Sequence, residues 1–425
     1  MSTKELSPSQ IVGIAIGAVL FLVGGYFFCN PGLLEKVSVV IWHNFGIWIL
    51  FIFGAGYAIY RKISNPQQMT WVEIPVQLSV SLLAIYLFYS IFYYSTSGMQ
   101  DTEIWNGYVA KAEYHEAWTE KKTSTDDEGN TRTSYVYHAP EWKLITNNDE
   151  CLRVSSDIYR RYVSHWGKET KRTLWHMNQS SIGDGNMYFV NWNRDSGSQV
   201  PSAVEHECAN YLKASHSIRK RVSYIKDEHK PFLMEYPAVF DGGFGSIAVN
   251  RVLNAKASVP TAWSNKISRG LDKVLCTMGK EKEVNVLVYV MGIGDQGYFH
   301  ALEEHWIGGK KNDVILVIGA SEFPKIDWVT VMAWTDVEEF KILLRDRILA
   351  LKNLEGKEQE IVDTISDQIR KSADAGGFKR RHMKELEYLA ADIVLPWWAQ
   401  VLVICFSVSC AYATSWALEH NEISN

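Results

Sequence analysis

Four long stretches without Asp, Glu, Lys or Arg constrain this chain of 425 residues more than any other feature. They cover residues 11–29, 37–60, 74–94 and 393–418, and each reaches the roughly 20 residues that a membrane-spanning helix needs. Aromatic residues crowd several of their ends, as they do at membrane interfaces. The pattern predicts four transmembrane helices and a multi-pass membrane protein that has the lipid bilayer as a partner.

The polar segment between the third and fourth stretches predicts one large domain outside the membrane. Glycines at residues 242, 243 and 245 mark a loop that divides this segment. We therefore predict three transmembrane helices in residues 1–98, a mixed α+β extramembrane subdomain in 99–245, an α/β subdomain in 246–392, and a closing transmembrane helix with its tail in 393–425.

Basic residues near the ends of the apolar stretches favour an extracytoplasmic position for this domain. Arg61 and Lys62 lie in the short second loop, and positively charged loops stay in the cytoplasm. A second basic cluster at residues 379–384 argues for the opposite orientation, but the rule weakens for charges inside a folded domain. The expected localisation is a membrane protein whose domain faces away from the cytoplasm.

The net charge argues against nucleic acid as a partner, whereas the cysteine content does not decide whether the domain contains a disulfide. With 43 basic and 48 acidic residues the net charge is -5, which gives no general reason to expect nucleic acid as a partner. Cys151, Cys208 and Cys276 lie in the domain, so one disulfide with a free thiol and three thiols remain alternatives. The absence of ionised residues from the apolar stretches makes a channel or transporter subunit the weakest alternative.

Hydrophobic periodicity predicts an α/β fold with a small mixed sheet in the second half of the domain. Before it, strand-like segments at 105–118 and 135–145 flank a polar tip and predict a long hairpin. The helices are expected at residues 264–278, 296–306, 337–351, 357–372 and 380–392, and the strands at 284–291, 314–319 and 326–334. Alternating helices and buried strands are typical of a layered α/β domain.

The order of these elements, with the residues at one join, resembles the TPM domain family. The strand "VNVLVYVM" is followed by a helix that ends in "HWIGGKKNDVILVIG", with Trp306, Gly308 and the Asn312-Asp313 step into a hydrophobic strand. The resemblance covers about residues 264–392. It implies a membrane-anchored α/β domain that faces away from the cytoplasm, and it permits a dependence on divalent ions or a phosphatase activity.

The turn from Gly308 to Asp313 is a candidate site with a simpler alternative. It lacks the nucleotide-binding P-loop pattern, because no Ser or Thr follows the lysines and the glycines end a helix instead of starting one. Lys310 and Lys311 could still bind an anion. The alternative is a glycine cap at the end of a helix, followed by a solvated turn.

Aspartates near the strand ends are the candidate metal and catalytic residues. Asp295 follows the first strand, Asp313 precedes the second, and Asp336 follows the third. Asp295 and Asp336 could meet at one edge of the sheet, where carboxylate and carbonyl oxygens would hold Ca²⁺ or Mg²⁺. Asp313 and Asp295 are the best candidates for catalysis. The alternative is that these residues cap helices and stabilise turns, where Asp is common.

Histidine and cysteine spacing does not predict a zinc centre. The chain contains neither Cys-x-x-Cys nor His-Glu-x-x-His, which are the spacings that commonly hold zinc. His206 and Cys208 form only an isolated pair.

Two hypotheses about function follow. The favoured one is a membrane-anchored accessory or binding protein with a TPM-like domain, whose partner is a membrane or envelope protein. The alternative is a metal-assisted phosphatase that uses the aspartates at the strand ends.

Overall fold

The computed structural model describes most of the chain from residue 73 onward. The described residues are 38, 55–57, 59–64, 73–96, 100–125, 131–173, 181–182, 186–214, 225–241, 247–392 and 396–420. The first apolar stretch and most of the second lie outside these residues.

Fifteen strands and eight helices are formed by the described residues from 73 onward. The strands are β1 (Gln100–His115), β2 (Trp118–Thr125), β3 (Thr131–His138), β4 (Glu141–Thr146), β5 (Cys151–Val154), β6 (Thr170–Thr173), β7 (Ser181–Ile182), β8 (Asn186–Asn191), β9 (Pro201–Ala209), β10 (Val239–Asp241), β11 (Ile247–Val249), β12 (Val252–Ala255), β13 (Asn285–Met291), β14 (Asp313–Gly319) and β15 (Trp328–Ala333). The helices are α1 (Glu73–Thr96), α2 (Ser156–Trp166), α3 (Tyr211–Ala214), α4 (Thr261–Lys282), α5 (Gly297–His305), α6 (Glu338–Leu349), α7 (Glu358–Arg370) and α8 (Trp397–His420).

The third and fourth apolar stretches form α1 and α8, which pack against each other. Among the described residues, no helix is both long enough and apolar enough to cross a membrane. The prediction of four transmembrane helices, and of a multi-pass membrane localisation, is therefore wrong for this part of the chain. Counting apolar residues gave too little weight to interleaved polar ones, such as Gln77, which is fully buried in α1, and Thr414 in α8.

Two compact units divide the chain differently from the four predicted segments. One unit comprises residues 1–101, 207–222 and 382–425, and the other comprises 102–206 and 223–381. In the first unit, α3 packs against 3₁₀-helical turns at Met383–Asp392, where a regular helix was expected from residue 380. The second unit contains every candidate site residue and the sheets, except for the first two residues of β1 and the last three of β9.

The predicted long hairpin is present in the second unit. β1 pairs with β4 and β2 pairs with β3, so two arms run together from Val109 opposite Thr146 to Thr125 opposite Thr131. The lower part of the hairpin belongs to a sheet with the order β10-β11-β9-β1-β4-β5, and the upper part to a three-stranded sheet with the order β3-β2-β7. The hairpin therefore passes from one sheet into another at a corner between His115 and Trp118.

A four-stranded sheet with the order β12-β13-β14-β15 forms the centre of the α/β part. The first three strands are parallel, and β15 runs antiparallel to β14. The sequence predicted this small mixed α/β sheet correctly, because β13 and β14 are continuous apolar runs and are buried along their whole length. Because β15 is antiparallel to β14, the carboxyl end of β15 lies beside the amino end of β14.

Helices cover both faces of this sheet. Helices α4, α6 and α7 pack on one face through Ile267, Phe340 and Ile365. Helix α5 covers the other face together with Phe232 and neighbouring residues. The segment 225–236 therefore crosses the α5 face, between the two ends of the strands.

Gly319 ends β14 beneath the indole ring of Trp328. A Cβ atom at position 319 would overlap the indole ring, and that ring is fixed by a hydrogen bond from its Nε1 to the Ile293 carbonyl at 3.1 Å. We expect Gly319→Ala to lower the free energy of unfolding by about 1–3 kcal/mol, which is typical of an overpacked core. Urea denaturation of the two proteins measures this difference. Gly294→Ala is the control, since a Cβ there meets nothing within 4 Å; an equal loss in both variants would contradict the prediction.

Candidate metal centre

The structure does not bring the three predicted aspartates together. Asp313 begins β14 and Asp295 follows β13, and these two strands are parallel and in register. A strand of seven residues separates its ends by about 20 Å, so the two carboxylates lie at opposite edges of the sheet. Asp336 follows the antiparallel β15 and lies at the same edge as Asp313. Asp295 therefore cannot share one ion with either of the others.

Asp336 is held in an ion-pair cluster. Its two carboxylate oxygens lie 2.9 Å from Arg381 Nε and 3.1 Å from Lys379 Nζ. These two side chains supply the positive charge that a metal ion would otherwise bring. Asp336 therefore stabilises the local fold through ion pairs and is not a good candidate for a metal ligand.

Asp313 is fully buried and its oxygens are already hydrogen-bonded. The Tyr236 hydroxyl donates to it at 2.9 Å, Asn285 Nδ2 at 2.8 Å, and the Lys310 backbone N–H at 2.8 Å. Burial raises the pKa of Asp313 to about 6, although the three donors act in the opposite direction. Asp313 thus links the segment that carries Tyr236 to the edge of the sheet at which β13 and β14 begin.

The turn from Gly308 to Asp313 is a helix cap. Ile307, Gly308 and Gly309 all have positive φ, at 52°, 77° and 73°, which ends the helix after His305. Lys310 Nζ donates to Thr102 Oγ1 at 2.7 Å, and Lys311 Nζ donates to the Ile307 carbonyl at 3.3 Å. The lysines are bound to protein oxygens, so the anion-binding hypothesis has no support here.

A different group of side chains surrounds Asp295 at the carboxyl edge of the sheet. Glu228, His229 and Asp295 each offer one ligand atom, and these atoms lie within 4.8 Å of one another. His229 Nε2 is 3.3 Å from Asp295 Oδ2 and 3.8 Å from Glu228 Oε1. The edge at the carboxyl ends of parallel strands is where α/β folds commonly bind ligands.

His229 is the member of this group that most clearly indicates a metal ion. The residue is only 2 % exposed, and its ring is fixed edge-on against Tyr298 with centroids 5.6 Å apart. Nevertheless its Nε2 forms no hydrogen bond with any described residue. A buried ring nitrogen that lies beside two carboxylates without bonding to them has the arrangement of a ligand directed at an ion between them.

The distance between His229 Nε2 and Asp295 Oδ2 fits two ligands of a tetrahedral ion. Ligand atoms bound at roughly 2.0–2.1 Å in a tetrahedral site lie about 3.3–3.4 Å apart, which matches the 3.3 Å between these two atoms. Glu228 Oε1 lies 3.8 Å from His229 Nε2, so the exposed Glu228 side chain has to move closer to bind the same ion. Asp295 is fixed for this role because its Oδ1 accepts the Gly297 N–H at 2.8 Å. This hydrogen bond, followed by that from Lys226, lowers the pKa of Asp295 and keeps it ionised.

Comparisons with protein-family models, with curated proteins and with solved structures find no match to this chain. The resemblance to the TPM domain family therefore stays a prediction.

Lys226 competes for the same carboxylates. Its Nζ lies 3.0 Å from Asp295 Oδ2 and 3.5 Å from Glu228 Oε1. The hydrogen bond to Asp295 raises the pKa of Lys226, so the ammonium remains charged. A metal ion at this position has to displace the ammonium, which is half exposed and free to turn into solvent.

The sequence pattern indicated Asp295 but not Glu228 or His229. They lie in the charged stretch Lys226 to Lys230, which by itself has the composition of a solvated loop. The residues that bury His229 come from α5, about seventy positions later in the chain. No local spacing rule connects these two segments.

Proposed function

We propose that this chain is a metal-dependent binding protein. Its α/β unit holds one divalent cation through His229, Asp295 and Glu228, and the open coordination position accepts an anionic oxygen group of a protein partner. The observation that carries the proposal is the buried His229 Nε2, which lies between two carboxylates without a hydrogen bond. Three protein ligands with an open position are the usual composition of a site that binds an exogenous group.

The ligand set favours Zn²⁺ over the Ca²⁺ or Mg²⁺ that the sequence suggested. An imidazole nitrogen suits zinc and other transition metals, whereas calcium and magnesium prefer sites made of oxygen atoms alone. The half-exposed carboxylates at the rim leave space for a ligand from solution. A carboxylate or phosphate of the partner is the chemistry that would complete such a site.

The phosphatase alternative does not form part of this proposal. In the form that the sequence suggested, it requires Asp295 and Asp313 at one ion, and the parallel register separates them by the length of a strand. The TPM-like fold remains part of the proposal, supported by the strand, the helix ending at His305, and the parallel strand that follows. The membrane anchor is not part of it.

Titration of the full, tag-free chain with ZnCl₂ in a calorimeter tests the proposal. We expect one zinc equivalent whose affinity falls more than about 100-fold in His229→Ala and in Asp295→Asn, because loss of an outer-shell partner alone costs 10–100-fold. Lys226→Met is expected to bind zinc more tightly than the wild type, since it removes the competing ammonium.

Asp227→Asn is the matched control for the titration. The Asp227 carboxylate is next to Glu228 in sequence, but it is 84 % exposed and pairs with Lys230. This variant should bind zinc as the wild type does. Absence of zinc binding by the wild type, or undiminished binding by His229→Ala, would contradict the proposal.

A further inference from the structure

A cavity lies at the corner where the long hairpin changes sheets, and its lining includes none of the residues of the metal centre. Its volume is about 760 Å³, within the range of pockets that hold small organic ligands. It is lined by Glu113, His115, Trp118, His138, Glu141, Trp142, Lys143 and Arg153, with four further residues. We call this cavity the corner cleft.

Two indole rings in the corner cleft are held in place by cross-strand stacking. Trp118 and His138 face each other across β2 and β3, with ring centroids 4.1 Å apart and an interplanar angle of 10°. Trp142 stacks on Tyr114 across β4 and β1 at 5.3 Å and 9°. Both indoles are partly exposed and are fixed before any ligand arrives, so binding on them costs little conformational entropy.

The charges in the corner cleft balance one another. The Glu141 carboxylate forms ion pairs with Lys143 Nζ at 2.6 Å and with Arg153 at 3.1 Å. Glu113 pairs with Lys111. Two carboxylates thus face two cations in the lining, and an ionic ligand gains no net attraction. Hydrogen-bond donors and acceptors are nevertheless abundant.

We propose that the corner cleft binds a neutral oligosaccharide of two or three hexose units. The apolar C–H faces of sugar rings pack on flat aromatic surfaces, and the indoles of Trp118 and Trp142 provide two of them. Sugar hydroxyl groups both donate and accept, as the mixture of carboxylates, guanidinium and imidazoles requires. A proline-rich peptide also docks on aromatic grooves, but it has few N–H groups to satisfy the carboxylates.

Binding of neutral trisaccharides to the full chain tests this site. The probes are cellotriose, maltotriose and chitotriose, followed by tryptophan fluorescence and calorimetry at 0.05 M and 0.5 M NaCl. We expect saturable binding of at least one probe with an affinity that does not change with salt. Trp142→Ala should weaken it by about 10-fold or more, as expected for a central aromatic contact.

Arg153→Gln is a second variant of the corner cleft, which tests the same site if Trp142→Ala does not fold. The Arg153 side chain is 80 % exposed, so its replacement leaves the core intact and should weaken sugar binding several-fold. Trp192→Phe is the control outside the cleft, and it should bind as the wild type does. The proposal is overturned if no neutral trisaccharide binds, if both cleft variants bind normally, or if trigalacturonate or decaproline binds more tightly than every neutral probe.

Discussion

Replacing Arg251 by methionine is expected to lower the free energy of unfolding by about 3–5 kcal/mol, the usual cost of removing one partner from a buried ionic network. Arg251 is 2 % exposed, and it bonds Asp272, Asn106 Oδ1 at 2.6 Å and Asn285 Oδ1 at 3.0 Å. Methionine fills much of the same volume but removes the Arg251 donors to Asp272 and Asn106 Oδ1, while Asn285 Oδ1 keeps the hydrogen bond from Asn106 Nδ2 at 3.0 Å. Urea denaturation followed by circular dichroism measures the loss.

Arg345→Met provides the comparison for this variant. Arg345 lies on α6 with 43 % of its side chain exposed and forms an ion pair with its neighbour Asp346. An exposed pair contributes no more than about 1 kcal/mol, so Arg345→Met should be close to the wild type. A loss below 1 kcal/mol in Arg251→Met would show that the network around Asn285 does not stabilise the fold.

The second large effect is a dependence of stability on pH that comes from Asp313. Its pKa is raised to about 6 by burial, above the usual 3.8, so the folded state binds the proton more tightly than the unfolded state. Protonation of Asp313 therefore stabilises the folded state below about pH 4, and this stabilisation is lost as the pH rises through 6. A pKa that is raised from 3.8 to about 6 corresponds to roughly 3 kcal/mol of folding free energy. Asp313→Asn removes this titration.

The measurement is the free energy of unfolding of wild type and Asp313→Asn between pH 4 and 8. Relative to the wild type, the variant should gain up to about 3 kcal/mol across this range. Asp336→Asn is the control. Although burial opposes them, Arg381 and Lys379 hold the pKa of Asp336 below its usual 3.8, so its contribution to stability is lost only below about pH 4, and the curve of this variant should stay parallel to that of the wild type above that pH. Parallel pH curves for wild type and Asp313→Asn would refute the assignment of a buried, proton-binding Asp313.

Sequence patterns predicted the local elements well. The runs at 284–291 and 314–319 are uniformly apolar, and only a strand covered on both faces buries such runs, so β13 and β14 were found within one residue. The hairpin was found because a polar tip separates two strand-like segments. Apolar composition wrongly predicted membrane spans at α1 and α8, because no helix among the described residues is long and apolar enough to cross a membrane.

Sequence patterns did not predict the meeting points of distant segments. Asp313 looks like a turn residue in sequence, and its burial depends on Tyr236, 77 positions earlier. Asp336 was assigned to the edge of Asp295 because the direction of β15 is not encoded in its alternation. His229 is covered by Tyr298 of α5, and no local pattern in the sequence indicates this contact. Local periodicity specifies which face is buried, but not which loop lies against it.

X-ray diffraction from crystals of the full chain grown with ZnCl₂, recorded on both sides of the zinc absorption edge, tests the metal centre most directly. We predict an anomalous peak between His229 Nε2, Asp295 Oδ2 and Glu228 Oε1, with bonds of roughly 2.0–2.2 Å and the Lys226 ammonium turned into solvent. Absence of a peak at this position, with Lys226 still bound to Asp295, would contradict the proposed function.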